Sequence, residues 1–455
     1  MHQKKIPYRL FWTWDHSTNW LPNTDGAQVC GVGNAYTKNP EYFEKDYRLA
    51  VDWCARHKMD AIGIVGMLRD RHGGLESARR LCAYARGKGV RIYLIAGLYG
   101  YGGIYYEGND PHSLVQFLKR NPGCAAVQED GVPVIKEFWG RGGHKRDPQA
   151  CPSHPLVHEF LLESLDWVFK EIPELGGIQM ESGDIGVCQC PQCRERRGEN
   201  TTDEPLSLAD MARIYPDAAA VIRRRSPDAW IICESYHHFL DKPCQMFNDP
   251  NPSPDLLKLL NMPEETFWQW KCDRMLRDHT WELGAPMLPA MQKFRHIMRA
   301  HSGTQWWGGR NTFAVDKIRQ QCLLSFESGL QGVSMFGETS PSHVNAEFNY
   351  LALEYFSDHP HAGNDDFIAD IMAPRLGGRQ LAERYFEMAP LCLNPEKIPA
   401  AALEIARISA QLTDYDQLRR WQYLAGFLHS YHWEMIHGRE LLAETSHNAD
   451  RPDEF

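Results

Sequence analysis

GIQMESGDIGVCQCPQC, residues 177–193, decides how the rest of the chain is read. The run from Gly177 to Met180 has the length of a buried strand, and it delivers Glu181, Ser182, Gly183 and Asp184 at its end. In a parallel α/β protein, chemistry sits at the C-terminal ends of the strands. Two carboxylates there, with a glycine between them, are candidates for acid/base work. The blander alternatives are a helix cap for Asp184 and a structural ion pair for Glu181. What favours chemistry is that other strands in the chain end the same way.

Working outward, Arg9 to Trp14 opens into WDHSTNW, and Ala61 to Met67 runs into LRDRHGG with Asp70 and His72. Val90 to Ala96 ends in LYGYGGIYYEG, and Ala229 to Cys233 ends in Glu234, Ser235, Tyr236, His237 and His238. Further strands are predicted at Thr266 to Trp270, followed by Lys271 and Asp273, at Thr304 to Trp307, and at Gly332 to Phe336, followed by Gly337 and Glu338. Helical spacings alternate with them, as in Phe43, Tyr47, Ala50, Val51 and Cys54, or Val157, Leu161, Leu165, Val168 and Ile172. Strand–helix alternation calls for a parallel sheet with right-handed crossovers. Eight such units over about 340 residues predict a (β/α)8 TIM barrel with elaborated βα loops rather than an open sheet. GVGNAY at 31–36 is not a phosphate-binding turn, because no apolar strand runs into it. Residues 98–153 form a long loop with a helix near Leu114 and a hairpin around Glu129-Asp130-Gly131. After about residue 360 only helical patterns remain, with Ile405, Ile408 and Leu412, then Trp421, Leu424, Leu428 and Met435. The expected domains are a barrel over 1–358 and a C-terminal helical domain over 359–455.

Composition narrows the function. With 24% charged and 43% hydrophobic residues the chain is globular, and its net charge of −10 argues against nucleic-acid or anionic-membrane partners. The start, MHQKKIPYRLFWTW, lacks the apolar core and small-residue cleavage site of a signal peptide, and nowhere do 18 consecutive apolar residues occur. Thirteen cysteines, with Cys54, Cys82 and Cys322 on apolar helix faces, read as a reduced, cytoplasmic protein.

The barrel reading gathers Asp15, Asp70, Glu181, Asp184, Glu234, Asp273 and Glu338 at one face, with Trp14, Trp20, Tyr99, Tyr101, Tyr105, Trp268, Trp270, Trp306 and Trp307 expected on the same rim. Pyranose C–H faces stack on aromatic planes while carboxylates bind hydroxyls, so this combination points to a carbohydrate. The residues expected to contact it are Trp14, Asp15, Asp70, His72, Tyr99, Tyr236, Trp268, Trp306 and Trp307. Glycoside cleavage needs one acid to protonate the leaving oxygen and a second carboxylate as nucleophile or base. Glu181 is the candidate acid, Glu338 and Glu234 compete for the second role, and Asp184 stands beside them. A sugar-binding barrel without catalysis and a metal-dependent barrel isomerase are the alternatives. The latter requires histidines and carboxylates converging inside the barrel.

Cys188, Cys190 and Cys193 form CxCxxC, three soft ligands within six residues. With Cys151 from the preceding βα loop they would complete a closed structural Zn²⁺ site, whose alternative is a set of free thiols. No organic cofactor is indicated.

The strand-four acid followed by CxCxxC resembles a group of bacterial barrel proteins related to the family 20 hexosaminidases and family 67 α-glucuronidases. So does the last strand, GLQGVSMFGE running into SHVNAEFNYLALEYF, with its helical tail. The resemblance covers roughly residues 150–390 in pattern, is sharpest at 181–193 and 329–356, and implies a glycoside hydrolase barrel. Family 20 enzymes carry adjacent Asp-Glu at this strand end, whereas here Ile185 follows Asp184. The resemblance therefore does not extend to acetamido-assisted chemistry or to an N-acetylhexosamine substrate.

Overall fold

The structure is a computed structural model that describes residues 5–21, 38–140, 143–181, 188–198, 208–238, 250–272, 276, 292–304 and 311–433. Its strands are β1 (Tyr8–Trp14), β2 (Ala61–Val65), β3 (Arg91–Gly97), β4 (Ile135–Gly140), β5 (Gly143–Pro148), β6 (Gly177–Glu181), β7 (Trp230–His238), β8 (Phe267–Lys271), β9 (Arg295–Arg299) and β10 (Gly332–Phe336). All but β4 and β5 close into a parallel barrel in the order β1-β10-β9-β8-β7-β6-β3-β2. Closure is made by β1, which pairs with β10 from Tyr8↔Gly332 and with β2 from Leu10↔Ala61. Helices Pro40–Arg56, Gly74–Gly87, Pro155–Glu171, Leu208–Arg225, Pro254–Leu260, Val315–Glu327 and Val344–Asp358 wrap it. The (β/α)8 barrel with elaborated loops and a helical C-terminal region is thus the observed architecture. Among the described residues, no helix is long and apolar enough to cross a membrane.

Side-chain alternation along each strand divides the core in two. On β6, Ile178 and Met180 point out against the helices, and Gln179 and Glu181 point in. On β8, Trp268 and Trp270 point out, while Phe267 joins the apolar plug inside the barrel with Leu10, Trp12, Ile232 and Ile297. Large and small residues interlock within that plug. A Cβ at Gly63 would lie 2.3 Å from the Tyr93 ring on the next strand, so only a glycine leaves the ring its place.

Two expectations need correction. The seventh barrel strand is β9, Arg295–Arg299, not Thr304 to Trp307; Thr304 stands in a turn, and Trp306 and Trp307 lie outside the described residues. RHIMR escapes an apolar search because arginines occupy both of its ends. Inside the barrel they pack on rings, Arg295 5.1 Å from the centroid of Tyr8 and Arg299 4.8 Å from that of Trp12. The second correction is Trp268 with Trp270. Both are fully buried between sheet and helices rather than placed on the rim.

The loop after β3 holds the helix Leu114–Arg120, the expected turn (Gln128 N–H to Val132 O, 2.7 Å) and the antiparallel pair β4–β5. Asp147 fastens this loop to the barrel mouth by accepting from the backbone N–H groups of Tyr101 (2.7 Å) and Gly102 (3.3 Å). After residue 358 the described residues hold helices and no strand, among them Arg379–Met388, Ile398–Ser409 and Tyr415–Trp433. The last docks through Trp421, whose indole N–H meets Leu376 O at 3.1 Å, and through Arg420, whose guanidinium forks onto Glu347 at 2.6 and 3.0 Å.

Candidate active site

The strand ends bring polar side chains inward just above the apolar plug. Met180 pairs with Cys233, so the next rung up sets Glu181 beside Glu234 on adjacent strands, about 4.8 Å apart along the hydrogen-bonding direction. One amide serves both: Gln179 Nε2 donates to Glu181 Oε2 at 3.0 Å and to Glu234 Oε2 at 3.3 Å. Glu234 also accepts from Gln269 Nε2, and Arg299 Nη1 stands 3.5 Å from it. Glu234 is fully buried and faces the guanidinium. Glu181, in contrast, keeps 9% of its surface open.

Glu338 follows β10, four places from β6 in an eight-strand ring, and so stands across the mouth from Glu181. Its Oε1 accepts from Trp14 N–H at 2.7 Å and from Ser17 Oγ at 2.6 Å. The Trp20 indole N–H, on Gly337 O at 2.8 Å, holds the turn that presents it.

Asp15, one residue past β1, is wholly buried and gripped by Arg69, with Nε to Oδ2 at 2.7 Å and Nη2 to Oδ1 at 3.1 Å. Burial alone would raise its pKa, but Arg69 and the neighbouring His16 and His72 outweigh that and hold the carboxyl well below the usual range. Burial pulls the His16 imidazole down despite Asp15 beside it, which favours its neutral form. Gly66 makes the approach possible. Its φ of +80° suits glycine, and a Cβ there would sit 2.5 Å from the Asp15 carboxylate.

The other sequence candidates are placed as follows. His72 braces Asp15: its ring stacks on Phe43 at 3.8 Å, and its Nε2 meets Gly66 O at 3.0 Å. Asp70 ties down the loop after β3, accepting from the Tyr105 hydroxyl at 2.5 Å and the Asn109 N–H at 2.9 Å. Tyr99 is buried in the main core with Trp268, away from the mouth. Trp14 does line the mouth, edge-on to Tyr101 and Tyr106 at 6.2 and 6.4 Å. Asp184, Asp273, Trp306 and Trp307 lie outside the described residues, as does the side chain of Tyr236 within β7.

Sequence reasoning missed Gln179, Gln269, Arg299, Ser17 and Arg69. For Gln179 and Gln269 a signal existed, since each is a polar residue between apolar neighbours at an inward position of a short strand. The four expected metal ligands, Cys151, Cys188, Cys190 and Cys193, come together, their sulfurs all within 4.8 Å of one another.

No family model matches the chain, and no curated protein does. Among solved structures it is similar to a GH138 enzyme targeting pectin rhamnogalacturonan II, with a TM-score of 0.51 and 11% identity, over 94% of this chain and 57% of that one. The chain therefore spans little more than half the length of that enzyme. It is also similar to a beta-N-acetylhexosaminidase (TM-score 0.48, 12% identity, 85% and 79% of the two chains). A third is a cyclic alpha-maltosyl-(1→6)-maltose hydrolase from Arthrobacter globiformis in complex with maltose (0.43, 13%, 78% and 83%). These neighbours are glycoside hydrolases, and at such identities the likeness to the first is one of barrel fold.

Proposed function

We propose that the protein is a glycoside hydrolase in which Glu181 is the general acid and Glu338, across the mouth, is the second carboxylate. The observation that carries this reading is the contrast among the strand-end acids. Asp15 and Glu234 are fully buried against arginines, whereas Glu181 keeps part of its surface open and Glu338 stands four strands away across the ring. Glycoside cleavage needs a carboxyl that can reach the leaving oxygen from the mouth, and of these acids the partly open Glu181 is the one so placed. Glu338, whose Oε1 is oriented by two donors, suits a base or nucleophile. Glu234 lies too deep to touch a sugar, and its part is to hold Gln179 and Arg299 in place. Trp14, with Tyr101 and Tyr106 behind it, offers a ring face for a pyranose.

The test is a panel of aryl glycosides and oligosaccharides, including fragments of pectin because the GH138 neighbour targets it. Glu181→Gln keeps the shape but removes the transferable proton. Turnover of substrates with poor leaving groups should fall ~10²–10⁴-fold, with a smaller loss on activated aryl glycosides. Glu338→Gln should depress both substrate types. Near wild-type rates in both variants on both types would end the proposal. Sugar binding without turnover, unchanged by either substitution, would favour a binding barrel.

A further inference from the structure

A third apolar cluster lies apart from the main core and the barrel plug. It consists of Ala126, Cys151, Cys188 and Cys193, flanked by Val127, Val134 and Cys190. Four of its seven members are cysteines, and so little apolar surface cannot by itself hold two long loops together. Yet two loops meet here. Cys151 and Val127 belong to the loop after β3, and residues 188–193 follow β6 and Glu181. Gln189 N–H reaches Val127 O at 2.6 Å, and Val127 N–H reaches Cys188 Sγ at 3.4 Å.

The sulfur geometry indicates what joins them. Cys151 Sγ is 3.7 Å from Cys190 Sγ and 3.7 Å from Cys193 Sγ. A tetrahedron of sulfurs around a metal with bonds of about 2.3 Å has edges of about 3.8 Å. A disulfide would instead draw one pair to about 2.05 Å and leave the others apart. Here one sulfur is equally distant from two partners, as ligands of a common central atom are. The surroundings suit the negative charge of four thiolates. Ser153 Oγ is 3.0 Å from Cys193 Sγ, and the Arg196 guanidinium is 3.6 Å from it. Arg196 is itself steadied by Asp210 and Ser153, and Arg197 Nη2 clasps Cys188 O at 2.6 Å. Four thiolates fill all four positions of a tetrahedral ion, which leaves none open for substrate.

We propose that Cys151, Cys188, Cys190 and Cys193 bind one Zn²⁺ as a closed tetrathiolate site. The ion clamps the loop after β3 to the loop after Glu181 and takes no part in chemistry. The site is independent of the glycosidase reading, and its test does not use activity. The full chain, purified under reducing conditions without chelator, should carry about one zinc per molecule. Exchange with Co²⁺ should give the strong visible absorption of tetrahedral thiolate coordination. Chelation in mild denaturant should release the zinc together with four newly reactive thiols. The double variant Cys188→Ser/Cys193→Ser should retain at least tenfold less zinc. Should that variant fail to fold, the chelation experiment on the wild-type chain decides alone. Zinc below about a tenth per chain with the thiols already reactive, iron in its place, or disulfides found by mass would each overturn the proposal.

Discussion

At the scale of single residues, the mouth is a set of carboxylates whose surroundings have been made unequal. Asp15 is the most constrained, and its depressed pKa links stability to pH. Its carboxyl binds a proton less readily in the folded chain than in the unfolded one. Its contribution is therefore complete above the ordinary carboxylate value of about 3.9 and is lost as the pH falls below that, through the depressed native value. Asp15→Asn removes the buried anion that Arg69 grips while leaving its pairing with Glu107, and should cost about 1.5–3 kcal/mol at pH 7. Urea unfolding of both proteins should show that difference narrowing at acid pH, and a constant difference from pH 7 to pH 3 would refute the linkage. Asp15 was legible in the sequence as a strand-end acid. Its occupation was not, because Arg69 lies 54 residues away and only the parallel pairing of β1 with β2 makes them neighbours. The same holds for Glu234: an acid after a strand is visible, but Gln179, Gln269 and Arg299 come from three other strands.

At the scale of elements, period-two alternation decides which aromatics can meet a ligand. FWQWK on β8 looks like a binding surface when counted for tryptophans, yet its register turns both indoles toward the helices and Gln269 toward the mouth. Trp270 stacks on Trp268 at 6.1 Å between centroids and bonds His296 Nδ1 at 3.1 Å through its indole N–H. Trp270→Ala should therefore destabilise the fold by about 3–5 kcal/mol in chemical denaturation. Carbohydrate affinity of the remaining folded protein should be unchanged, and weakened binding at full stability would return Trp270 to the site. Composition alone could not separate the two roles; strand phase could. β9 shows the reverse failure. Its inward arginines are tolerated because rings and a carboxylate receive them, and nothing local to RHIMR announces those partners.

At the scale of the whole molecule, the strand–helix rhythm made the barrel legible, since eight repeats of one pattern leave few topologies. The helical region was legible as helices, but its attachment depended on a pair separated by 73 residues, Glu347 and Arg420. Arg420→Met leaves Glu347 nearly buried with its main cation gone, a loss of roughly 3 kcal/mol or more. Limited proteolysis should then cut near the helix Tyr415–Trp433 well before the barrel, and cleavage no faster than in the wild type would deny that docking its weight. The barrel's closure also has a consequence in time. Trp14 and Glu338, which meet at the seam between first and last strands, are 324 residues apart in the chain. At ribosomal rates of about 5–20 residues per second, β1 waits tens of seconds for β10 to be made. Through that interval one flank of the nascent sheet offers unpaired backbone to any other strand in reach. Until the seam forms, the first strand is an exposed edge, and the finished barrel is the first state of the chain in which that edge is gone.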